Sequence, residues 1–134
     1  ASGEGHFRFG ASTAATQIED QNPHTDWWAW SSPEAEGGLG EAHEPIGDAV
    51  LGFTKAVDDI QLIKAMNLDA YRFSLSWSRI EPARDTIVEE SLQHYDAFID
   101  ALVEEMKSWY KNGNRDTETT IVMFDGVSQY KNGT

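Results

Sequence analysis

At 134 residues the chain holds one modest domain. A composition 40% hydrophobic and 25% charged excludes wholesale disorder, and no apolar run reaches the length of a bilayer-spanning helix. The net charge of −13 argues against nucleic-acid or anionic-membrane partners, which require a basic surface, and is compatible with neutral ligands such as sugars. With no cysteine there can be no disulfide, thiolate metal site or cysteine nucleophile. That absence, and the lack of a basic-then-apolar leader, lean the expected localisation to the cytoplasm.

In chain order, His6 to Ser12 reads as a short strand ending near a glycine, and Thr13 to Glu19 as a short helical turn. Residues 20 to 47 carry three of the four prolines and the run Gly37-Gly38-Leu39-Gly40, and are expected to form a long irregular loop. Asp48 to Met66 is expected to be a helix with Asp48 as N-cap, its apolar stripe falling on Phe53, Val57, Ile60 and Ile63. Asn67 to Asp69 makes a tight connection into a strand over 70–77, and Glu81 to Asp85, with Pro82, breaks the chain.

A second helix is expected over about Glu89 to Tyr110. Leu92, Tyr95, Ile99, Leu102, Met106 and Trp109 recur at three- and four-residue steps, a buried stripe that suits packing on a sheet or a short coiled coil. Lys111-Asn112-Gly113-Asn114 stops it, with Gly113 as candidate C′ residue. Thr119 to Phe124 is β-branched and apolar, a third strand. Strand, helix, strand, helix, strand in this order implies βαβ units and a parallel sheet with right-handed crossovers.

The middle strand alternates. Tyr71, Phe73, Leu75 and Trp77 are large and mostly apolar; Arg72, Ser74 and Ser76 are polar. A central strand of an open parallel sheet would be apolar on both faces. Two arrangements accommodate the alternation. In a closed β/α barrel the aromatic face lies under the helices, while Arg72, Ser74 and Ser76 point inward near the C-terminal mouth. In a half-exposed strand Arg72 stands in solvent.

Tyr71-Arg72-Phe73-Ser74-Leu75-Ser76-Trp77-Ser78-Arg79-Ile80-Glu81-Pro82 resembles the second-strand signature of glycoside hydrolase family 1, the β-glucosidase family. Phe7 to Glu19 is similar to the family's first strand and its glutamine-bearing turn, and Asp26-Trp27 to the Asp-Trp pair that follows. Gly47-Asp48-Ala49, Asp58-Asp59-Ile60, Tyr95-Asp96 and Ile99-Asp100 fall in the family's order. The likeness covers about residues 7–103 of a single 1–134 domain, with 104–134 as a divergent tail. It implies a partial (β/α) barrel, about the first three β/α units of a TIM-barrel glycosidase.

The resemblance gives Gln17 a substrate-binding role, its amide offering donor and acceptor to sugar hydroxyls. It places Arg72 beside the attacking carboxylate, where a fixed cation keeps that group ionised. A solvated turn for Gln17 and a structural ion pair for Arg72 are the bland alternatives. Retaining glycosidases use two carboxyl groups; in this family they lie in Asn-Glu-Pro and Glu-Asn-Gly motifs, and neither motif occurs here. Asp58-Asp59, Glu89-Glu90 and Glu104-Glu105 fall on expected helices, where solvated faces explain them. No catalytic residue is assigned, so the 134-residue chain alone is expected to be inactive.

The tail departs from the family: Thr119 to Phe124 is followed by Asp125-Gly126 without a histidine, and Tyr110-Lys111-Asn112-Gly113 recurs as Tyr130-Lys131-Asn132-Gly133. His6, His24, His43 and His94 are scattered, so neither a metal nor another cofactor is expected. Trp27, Trp28 and Trp30 either anchor the long loop or offer sugar platforms. The reading is a fragment of a retaining β-glycosidase whose intact relative binds a β-glycoside. The rival is a non-catalytic scaffold that associates with itself, or with a complementary barrel chain, through open sheet edges.

Overall fold

The computed structural model describes residues 9–68 and 70–111, with side chains through Glu105. Strand β1 (Gly10–Ser12) is followed by helix α1 (Ala15–Ile18), helix α2 (Asp26–Ser31) and a 3-10 turn at Glu34–Glu36. Then come helix α3 (Ala56–Ala65), strand β2 (Ala70–Arg72), helix α4 (Trp77–Ile80) and helix α5 (Glu89–Lys111). β1 and β2 are parallel, with Gly10 opposite Ala70 and Ser12 opposite Arg72. A side chain at position 10 would place its Cβ 2.7 Å from the Ala70 carbonyl oxygen, so the strands close up only over a glycine.

The core lies between the sheet and the two long helices. Ile60 and Ala56 of α3, Tyr71 and Phe73 of the β2 segment, and Phe98 and Leu102 of α5 are buried together, with Ile63, Leu75 and Ile99 against them. Tyr71 and Phe73 stack at 5.4 Å, and Phe98 meets Phe73 edge-on at 5.1 Å. Aromatic residues two apart on one strand face thus form the floor on which α5 lies. Phe98 belongs to that floor and was absent from the expected stripe, which fell one residue away at Ile99.

Five expectations need correction. The 20–47 stretch is not structureless: Thr25 caps α2 by accepting the Trp28 N–H at 3.0 Å, a Thr-Asp start between Pro23 and Pro33. The helix expected from Asp48 begins at Ala56. Ala49 and Leu51 have positive φ (44° and 61°), which ends any helix there. The N–H groups of Gly52, Phe53 and Thr54 are taken instead by Ile18 and Asp20. Val57, placed on the buried stripe, is exposed.

The strand expected over 70–77 ends at Arg72, because Ser74 and Ser76 spend their side chains on other segments. Trp77 opens α4 and is exposed, its indole N–H donating to Glu81 at 2.9 Å, so it does not join the aromatic face. The third strand at Thr119 to Phe124, the stop at Gly113 and the repeated tetrapeptide lie outside the described residues. Among those residues, no helix is long and apolar enough to cross a membrane.

Candidate functional site

Because β1 and β2 run in parallel, their C-terminal ends lie on the same side of the sheet. Gln17 sits on α1, the turn that leaves β1; Arg72 is the last residue of β2. Both are exposed, and neither side chain makes a hydrogen bond or ion pair among the described residues. The Thr13 N–H donates to the Arg72 carbonyl at 2.9 Å, and Thr13 Oγ1 and the Tyr71 hydroxyl share a hydrogen bond of 2.7 Å. The exit of β1 is thereby laced to β2. The structure brings both sequence-assigned residues to one rim.

Ser74 and Ser76, expected on the same open face as Arg72, turn toward the segment after β1. Ser74 Oγ accepts the Ala15 N–H at 3.0 Å. Ser76 Oγ accepts from Asn22 at 2.7 Å and shares a 3.0 Å hydrogen bond with Ser78, in a fully buried setting. A short polar residue here is a joint between chain segments.

Beneath the rim lies a buried polar cluster that sequence reasoning left without a role. Glu19, 5% exposed, receives the Tyr95 hydroxyl proton at 2.7 and 2.9 Å on its two oxygens. Arg79 Nε donates to the same carboxylate at 3.2 Å, and the other arm of its guanidinium reaches the Asp20 carbonyl. The Ser76 N–H donates to the Tyr95 oxygen at 3.2 Å. Arg79 also lies 3.8 Å over the ring of Phe53, whose ring stacks on His94 at 3.9 Å.

Burial raises the Glu19 carboxyl above its ordinary value, although Tyr95 and Arg79 pull the other way. Burial and the neighbouring Glu19 charge push the Tyr95 phenol well above its usual range, so it is a permanent donor. Asp20, fully buried, shows the opposite balance. Burial works against its charge, but the Thr54 hydroxyl and the N–H groups of Thr54 and Phe53 outweigh it and hold the carboxyl below its ordinary value. One sequence signal pointed here: Tyr95 stands in an apolar stripe, and a buried phenol needs a partner.

The three acidic pairs lie on helices as expected. Asp58, Glu89, Glu90 and Glu104 are exposed, Asp59 is half-buried, and Glu105 is ion-paired with Lys64 of α3. His94 Nε2 donates to the Phe53 carbonyl at 2.9 Å. Among the described residues no three His, Asp or Glu side chains gather as a metal site. Trp27 and Trp30 are 49% and 43% exposed and meet edge-to-face at 5.7 Å, while Trp28 between them in sequence is half-buried.

Residues 3–108 match the model of glycosyl hydrolase family 1. The chain belongs to glycosyl hydrolase family 1. Among curated relatives, Glycosyl hydrolase-like protein 1 of Saponaria officinalis is 35% identical over 121 residues, 89% of this chain and 24% of that protein. Beta-glucosidase 32 of Arabidopsis thaliana is 36% identical over 110 residues, 74% of this chain and 20% of that protein. The chain thus spans a quarter or less of the length of these family 1 relatives.

Solved family members agree in fold. The β-glycosidase from Pyrococcus horikoshii superposes with a TM-score of 0.64 at 30% identity, over 87% of this chain and 23% of that one. A rice β-glucosidase, solved in a covalent complex with Glc, gives 0.70 at 26% identity, over 92% and 24%. The two parallel strands and their helices correspond to part of the β/α barrel of these enzymes.

Proposed function

We propose that this chain forms the first sector, about three β/α units, of a retaining β-glycosidase barrel that hydrolyses β-glucoside-like O-glycosides. Its part is to bind the sugar and to support the nucleophile. The observation that carries the reading is the placement of Gln17 and Arg72, both exposed, where two parallel strands end. That is the side on which β/α barrels assemble their active sites. Gln17 would bridge neighbouring sugar hydroxyls as donor and acceptor. Arg72 would hold the nucleophilic carboxylate ionised by simple proximity of charge. The acid/base and nucleophile carboxyls, which must stand about 5–5.5 Å apart, would come from later strands of the barrel.

The reading is tested by assaying the purified 134-residue chain on aryl β-glucosides and β-galactosides. No turnover is expected. Steady hydrolysis that follows the protein through purification would mean that carboxylates assigned to helix surfaces perform the chemistry.

A second reading, a self-associating scaffold, is favoured by the exposed Leu62 of α3 and the exposed Met66 just past its end, Leu62 being 59% exposed. The outer edges of β1 and β2 are also unpaired among the described residues. Native mass spectrometry separates the two: a symmetric oligomer without glycosidase activity supports the scaffold, and a monomer removes it.

A further inference from the structure

Gln17 rides on a helix of four residues, Ala15–Ile18, too short to hold a shape unaided. Its first turn is fixed from β2, by the Ala15 N–H on Ser74 Oγ at 3.0 Å. Its side toward α3 is fixed by the Ile18 carbonyl, which accepts the Gly52 N–H at 2.6 Å; a Cβ on Gly52 would press within 2.8 Å of Ile18. Its far end is fixed by two buried carboxylates: Asp20 accepts from Phe53 and Thr54, and Glu19 reaches the two helices beyond. Both Glu19 oxygens take the Tyr95 proton donor from α5, and one takes Arg79 from α4. Tyr95 is itself held by the Ser76 N–H, and Arg79 by the Phe53 ring and the Asp20 carbonyl.

We propose that Glu19, clamped by Tyr95 and Arg79, is the positioning residue for Gln17: it sets the depth and orientation at which the amide meets a sugar, without touching the sugar itself. The inference rests on the sugar-binding reading of Gln17 and adds the device that makes that reading workable. A carboxylate suits the task because both oxygens accept, so one group binds α1 to two helices at once. The clamp also fixes Gln17 relative to Arg72, since Ser74 and Ser76 follow Arg72 in the same segment.

The test uses the whole chain and two readouts. Amide hydrogen exchange is followed at Gln17 and Glu19, whose N–H groups bond to Ala14 and Ala15, against Tyr71, Phe98 and Leu102 in the core. In Tyr95→Phe, which keeps the ring, and in Glu19→Ala, exchange at Gln17 and Glu19 is expected to rise at least tenfold beyond any change in the core. Glu19→Gln, which still accepts the Tyr95 proton, should recover most of that protection. The second readout is the shift of the Gln17 side-chain amide on titration with methyl β-glucoside, which should weaken severalfold in Tyr95→Phe. Exchange at Gln17 and Glu19 that moves only with the core in all three variants overturns the clamp. If the unaltered chain shows no sugar-induced shift at Gln17, the sugar reading fails, and the exchange result still decides the clamp.

Discussion

Arg72 ends β2 with its guanidinium exposed. A cation in water costs nothing to keep, whereas a buried one without a partner is expensive. Arg72→Met is therefore expected to leave the stability of this chain within about 0.5 kcal/mol of the parent, as exposed substitutions do. Thermal melts showing a loss of several kcal/mol would reveal a buried carboxylate partner. The carboxylates under the rim are pH-sensitive in opposite senses. Asp20 has a lowered value when folded, so its contribution is present above the ordinary aspartate range and is lost as the pH falls through the lowered value. Asp20→Asn should cost about 2 kcal/mol at pH 7, the worth of hydrogen bonds to a charged acceptor, and in urea melts the gap should close as the pH falls through the lowered value. Glu19 has a raised value, so its share is full at low pH and is lost as the pH rises through the raised value. A gap for Asp20→Asn that stays constant with pH would mean that Asp20 is not charged in its cradle.

At the scale of elements, the aromatic floor decides stability. Phe73 is buried between Tyr71 and Phe98, with Ile60 and Leu102 in the same cluster. Phe73→Ala is expected to lower the unfolding free energy by about 3–5 kcal/mol, the usual result of emptying an aromatic core site. A loss under about 1 kcal/mol by urea denaturation would show that this face is not core. The long helix α5 was legible because its apolar period runs for many turns, and periodicity averages out single exceptions. The start of α3 was not, because tertiary hydrogen bonds from Ile18 and Asp20 compete for the amides of Gly52, Phe53 and Thr54. Alternation over 70–77 suggested one long strand, yet only the Tyr71 and Phe73 part of it packs as a strand face. From Ser74 onward the side chains answer to the segment after β1, which no local pattern encodes. α2 carried a readable cap in Thr25-Asp26, but the flanking prolines and glycines masked six helical residues.

For the molecule as a whole, the chain corresponds to about a quarter of a family 1 barrel, and the described strands place Gln17 and Arg72 on one rim. Those two residues stand in motifs that follow the family's order in the sequence. Their support was not legible there: Glu19 meets Arg79 across 60 positions and Tyr95 across 76, so the cluster exists only once three elements have packed. The most direct test of the central claim replaces the corresponding segment of a family 1 β-glucosidase with residues 9–105 of this chain and measures kcat/KM on an aryl β-glucoside. Gln17→Ala and Arg72→Met in the folded chimera are each expected to lower kcat/KM by on the order of a hundredfold, about 2.7 kcal/mol of lost transition-state stabilisation. A change of less than about threefold in both, with the chimera folded and active, would contradict the assignment of this rim to the sugar and the nucleophile.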